Sequence, residues 1–182
     1  MSFLKNLFQN IRLKRQKQSK DSFEEWQNRE LDISEILSRE DTSNVLLDAY
    51  EYCMRKCNWN VSQLEDGCVK DFLLGMLFRS EMDNGGIAQF FFNSSGNMAS
   101  ETVDALKRID PECAELLVRA LQCFPDGIAP VDQDERNQIM DRFDDDADAL
   151  LESIDQAYFE ADDDQKYLEY LQENKSEVER VS

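Results

Sequence analysis

EMDNGGIAQFFFNSSG, Glu81 to Gly96, crowds two adjacent glycines, three consecutive phenylalanines and a run of amide and hydroxyl side chains into one short stretch. Just before it, Val69, Phe72, Leu73, Met76 and Leu77 recur at helical spacing as a dense apolar stripe. Asn84, Gly85 and Gly86 supply the left-handed backbone that stops such a helix near Met82. A short helix then carries Ile87, Phe90 and Phe91 inward, and Ser94, Ser95 and Gly96 stop it before Asn97 or Ser100 starts the next. So tight a corner deprives backbone groups of helical partners, and Asn84, Gln89, Asn93 and Ser94 are suited to replace them. The stretch therefore reads as a joint between helices. A catalytic reading would pair Glu81 or Asp83 with these amides, but no nucleophile or electrophile stands beside them. A ligand or partner groove lined by Phe92 is the remaining alternative.

Outward from the joint the pattern stays helical. Leu46, Leu47, Tyr50, Met54 and Cys57 form one stripe behind a cap at Ser43 or Asn44. Asp110 and Pro111 make an N-cap and first-turn pair, and Cys113, Leu116, Leu117, Ala120, Leu121 and Phe124 supply the buried face behind them. Pro125, Asp126 and Gly127 end that helix. Ile139, Met140, Phe143, Ala147, Leu150, Leu151, Ile154 and Tyr158 then repeat with helical period, which predicts one long helix. Only three prolines and six glycines leave little turn chemistry for a many-stranded protein. The expected fold is all-α, a single compact multi-helix domain over residues 21–182. It follows a basic amphipathic N-terminal helix and linker over residues 1–20.

In that first segment Phe3, Leu4, Leu7, Phe8 and Ile11 share a helical face, with Lys5, Arg12, Lys14, Arg15, Lys17 and Lys20 around them and no acid. Two readings follow: peripheral membrane contact through residues 3–17, or a terminal segment that is disordered or docks on the acidic body or a second copy. The segment lacks the continuous apolar region and cleavage site of a secretory signal. The longest apolar run, Phe72 to Phe78, is far short of the roughly 18 residues a membrane span needs. Five cysteines without a CxxC pair read as reduced thiols, and the expected compartment is the cytoplasm. The absence of histidine removes the commonest general base and most zinc sites, so neither an enzyme, a metal nor a cofactor is expected.

Charge is lopsided. Residues 21–182 carry 14 basic and 39 acidic side chains, a net of −25, which repels nucleic acid and anionic membranes and favours basic partners. Within the long predicted helix Asp141, Asp145, Asp148, Glu152 and Asp155 recur at steps of four and three, stacking carboxylates in one row. Asp134 to Asp155 holds nine acids against Arg136 and Arg142. As one helix that is a charge every 5 Å or so, about a third of the density of duplex DNA. Asp144 and the run Asp162, Asp163, Asp164 extend the candidate partner-binding surface. Asp144, Asp146, Asp148, Glu152 and Asp155 also fall at EF-hand offsets, but Ala149 stands where the sharp turn requires glycine.

The order of Glu81, Asn84-Gly85-Gly86, Gln89-Phe90-Phe91 and Asn93-Ser94-Ser95-Gly96 resembles the signature of a bacterial family of acidic, all-helical proteins, otherwise a domain of unknown function, whose best-understood member is a DNA mimic. Met82 and Ile87 stand where valine and an aromatic are usual, and the likeness covers roughly Ser43 to Lys175. It implies a helical protein, often dimeric, that presents carboxylates in the pattern of DNA phosphates. Such a protein occupies the DNA site of a transcription regulator, a basic DNA-binding protein, without itself binding nucleic acid. The alternative is an immunity or adaptor protein whose acidic face holds a basic partner, at the membrane surface if the N-terminal helix anchors it.

Overall fold

The computed structural model describes residues 29–180, and over them the protein is all-α. The basic segment of residues 1–20, together with Phe23 and Trp26, lies outside the described residues. Nine α-helices are formed among the described residues: α1 (Ile33–Ile36), α2 (Thr42–Lys56), α3 (Cys68–Phe92), α4 (Ala99–Ile109), α5 (Pro111–Leu121), α6 (Gln133–Met140), α7 (Asp145–Ala161), α8 (Asp164–Glu173) and α9 (Lys175–Val178).

Helix α3 is the axis of the molecule because it is apolar nearly all round. Phe72, Leu73, Leu74, Met76, Phe78, Met82, Ile87, Phe90 and Phe91 are all buried, as expected for a helix enclosed by neighbours rather than set on a surface. Helices α2, α4, α6, α7, α8 and α9 all pack on it. A chain of edge-to-face aromatic contacts runs through its lower half: Tyr158 on Phe78, Phe78 on Phe90, Phe90 on Phe91, Phe91 on Phe124 and Phe124 on Phe143, with centroids 4.9–6.0 Å apart. These contacts tie α7 and the turn before it to the centre.

Several helix ends are capped as their sequences predict. Asp110 accepts from the Cys113 amide at 3.3 Å and Pro111 opens α5. Helix α2 is capped by Asp41 rather than by Ser43 or Asn44. Helix α3 begins at Gly67, which has no side chain to cap with. Glu177, from the far end of the chain, accepts from the Cys68 amide at 2.9 Å instead. One turn on, Asp71 receives Arg108 of α4 through two hydrogen bonds, 2.6 and 2.5 Å, and the Tyr170 hydroxyl of α8 at 2.7 Å. One buried carboxylate thus joins three helices.

The long acidic helix predicted across residues 134–155 is two helices. α6 ends at Met140, residues 141–144 turn, and Asp144 adopts an extended backbone and caps α7 by accepting from the Ala147 amide at 3.0 Å. The break lets Phe143 reach the Phe124 ring. Acids at Asp145, Asp146 and Asp148 suit the positive end of the new helix. The residues at EF-hand offsets lie within α7 or at its cap, so no calcium loop forms there. Cys53, Cys57, Cys68 and Cys113 are buried, Cys123 is half-buried, and all five are free thiols.

Candidate partner-binding face and the joint behind it

The opening motif is a joint, and its side chains face one another. The helix does not stop at Asn84: helical structure continues to Phe92, and the path breaks at one residue, Gly86, with φ 80 and ψ −171. Breaking there leaves the Ile87 amide without a helical acceptor, and the Asp155 carboxylate of α7 takes it at 2.7 Å. A β-carbon at Gly86 would lie 2.3 Å from Asp155 Oδ2, so glycine is needed both for the left-handed backbone and for the close approach.

Gln89, Asn93 and Ser95 donate to the Glu81 carboxylate, each at 2.8 Å, and so fold the end of α3 back on its own middle. The amides were expected to satisfy stray backbone groups. The structure turns them inward to Glu81 instead, while Asn84, Gly85 and Ser94 are exposed. The stray carbonyls belong to Arg136 of α6, whose guanidinium is fully buried. It donates to the carbonyls of Phe91, Pro130, Val131 and Asn93 and to the Asn97 side chain. Burial pushes this guanidinium below its ordinary value and Asp132 opposes the shift. Gly96 leaves room for it, since a β-carbon there would lie 2.8 Å from Arg136 Nε.

The acids predicted as a binding surface divide into two groups. Asp155, Asp162 and Asp164 face inward. Asp162 and Asp164 pair with Arg79 of α3 at 2.8 and 2.5 Å. The Arg79 guanidinium is buried, with the Tyr167 ring face 4.7 Å from it. These two carboxylates hold the α7–α8 corner against the core. Burial raises the Asp162 carboxyl and Arg79 only partly opposes it, while Asp155 is raised by burial against the Ile87 hydrogen bond.

Asp141, Asp144, Asp145, Asp148, Glu152 and Asp163 are exposed, and Asp144 and Asp163 also serve as helix caps. They are joined by exposed acids outside the sequence-predicted set: Asp132, Asp134, Glu135, Asp146 and Glu160. Between residues 132 and 163 these eleven exposed carboxylates face one exposed cation, Arg142. Among the described residues, the ion pairs of Arg39, Lys70, Arg79, Lys107, Arg108 and Lys166 all go to other carboxylates. Within the described residues none of these pairs reaches the exposed group.

No group of three or more His, Cys, Asp or Glu side chains among the described residues is placed to hold a metal ion. None of the described helices is long and apolar enough to cross a membrane. The model of a family described as DMP19-like protein matches residues 62–174, a span that contains the joint and every helix from α3 to α8. The match begins after the Ser43 expected for the resemblance and ends beside its predicted limit. No curated protein and no solved structure matches the chain.

Proposed function

This chain belongs to the DMP19-like protein family, and from that premise we propose that it is a non-enzymatic DNA mimic whose exposed carboxylates occupy the DNA site of a basic DNA-binding protein such as a transcription regulator. The observation that carries this reading is the division of labour among the acids. Where the fold needs a carboxylate, at Asp71, Asp155 or Asp162, a cation or an amide meets it. From Asp132 to Asp163, across α6, α7 and their flanking turns, eleven exposed carboxylates stand against Arg142 alone. A solubilising surface mixes both signs, whereas this one does not.

Five exposed acids on α7, a helix about 25 Å long, give one charge every 5 Å or so, against one per about 1.7 Å on duplex DNA. The acids of α6 and its flanking turns add to that density. Such a field draws in a basic partner quickly and weakens with salt. The family motif itself lies in the joint, so it holds the scaffold that presents the acids rather than touching the partner.

The test is capture from native lysate on the immobilised full chain, followed by elution with added duplex DNA. DNA-binding proteins should leave with the duplex, and the Asp141→Asn, Asp145→Asn, Asp148→Asn variant should retain several-fold less of them with a flatter salt dependence. A retained protein that duplex does not displace, or that the triple variant holds equally well, would overturn mimicry and leave an immunity or adaptor role.

A further inference from the structure

We propose that residues 3–17 of this chain dock in cis on the face formed by Phe92, Val131 and the exposed acids at the start of α6, so that the protein shields part of its own binding surface. The apolar part of that face is drawn together by Arg136. Its guanidinium bonds the carbonyls of Phe91 and Asn93 on one side and of Pro130 and Val131 on the other. Gln133 adds a bond to the Phe92 carbonyl at 2.7 Å. From these joined backbones the Phe92 side chain emerges 56% exposed and Val131 71% exposed, a pair of large apolar groups beside the acidic start of α6. Asp132, Asp134 and Glu135 are exposed right after Val131.

The occupant is identified by chemistry and by reach. Residues 1–20 combine five apolar side chains at helical spacing with six cations and no acid, the complement of an apolar pair rimmed by carboxylates. The described chain begins at Arg29, held to α2 by Asp48 at 2.7 Å and by the Arg55 side chain on its carbonyl at 2.8 Å. The residues between Ile11 and Arg29 can span up to about 60 Å when extended. That exceeds the length of α3, about 37 Å for its 25 residues. A tether of this length holds the segment near its target at a high effective concentration. An anionic membrane, by contrast, is repelled by the −25 body that the segment would have to bring with it. The proposal rests on the acidic face but not on any external partner.

Zero-length carbodiimide cross-linking of the isolated full-length protein tests it, with equal parts of light and 15N-labelled chain mixed so that links within and between molecules differ in mass. The Lys107–Asp104 pair, 2.9 Å apart, serves as internal standard. Links from Lys5, Lys14, Lys17 or Lys20 to Asp132, Asp134 or Glu135 are expected within one molecule. Their yield should fall several-fold between about 0.05 M and about 0.5 M salt as screening tightens. It should also fall several-fold in the Phe92→Ser, Val131→Ser variant. Links mainly between light and heavy chains, no links from these lysines to these acids while the standard forms, or a yield unmoved by the double substitution would each overturn docking in cis. Partner capture by the full chain is read separately, so failure here leaves the DNA-mimic reading standing, and the reverse also holds.

Discussion

At the scale of single residues the joint turns on Gly86. Its φ of 80 with ψ −171 is a conformation that costs an L-residue roughly 1–3 kcal/mol, and a β-carbon there would meet both oxygens and the carbon of the Asp155 carboxylate within 2.7 Å. Gly86→Ala should therefore remove the Asp155–Ile87 hydrogen bond as well as strain the backbone, lowering the urea midpoint clearly while leaving the helix content nearly intact. An unchanged midpoint would mean that the kink is not required. The thiols give a second test at this scale. Burial pushes Cys68 up to about 12 and Cys53 and Cys113 higher still, while Cys123 is raised less and lies half-exposed. Near pH 8 a maleimide should label Cys123 first and reach the other four only as the protein unfolds. Rapid labelling of two or more sites would contradict the packing around α2 and α3.

At the scale of elements, the two groups of acids should respond differently to substitution. Asp162→Ala removes one of the acceptors around buried Arg79. It should cost roughly 1–3 kcal/mol, less than the 3–5 kcal/mol typical of breaking a buried pair, because Asp164 remains. Asp145→Asn with Asp148→Asn should change stability by less than about 0.5 kcal/mol, since both are exposed and any lost attraction to the helix N-terminus is offset by relieved repulsion. Chemical denaturation of the two variants decides this, and equal losses would mean that the exposed acids are structural after all. The contrast also shows what sequence could reveal. The Asp110–Pro111 start, the inward Ile87, Phe90 and Phe91, and the reading of the motif as a joint rest on local chemistry, and all are legible there. The break at Asp144 was hidden because the apolar period runs from Ile139 to Tyr158 without a gap, although an aspartate followed by an acidic first turn is itself a helix-start signal. Arg79 directly after the apolar run ending at Phe78 signals a buried cation in need of carboxylates. Which carboxylates, and that Glu177 caps α3 while Asp155 caps Ile87, depends on contacts between distant parts of the chain, which periodicity does not encode.

At the scale of the whole molecule, charge sets how stability varies with pH. The Asp155 and Asp162 carboxyls are both raised by burial, so the folded protein binds these protons more tightly than the unfolded chain does. Their contribution is full below the ordinary carboxylate value of about 4 and is lost as pH rises through the elevated folded-state values. Mutual repulsion within a chain of net charge −19 acts in the same direction, since mild acid removes part of it. The melting temperature should therefore be higher near pH 5 than near pH 8, the reverse of a protein whose carboxylates are held low by cations. Two changes separate the causes. Added salt screens the exposed acids and should reduce the part due to repulsion, but reaches the half-buried Asp155 much less. Asp155→Asn keeps an oxygen for the Ile87 amide while abolishing the titration, and should flatten the remaining slope at high salt. If wild type and variant keep the same slope there, Asp155 does not titrate in this range, and the pH response belongs to the exposed face and to Asp162.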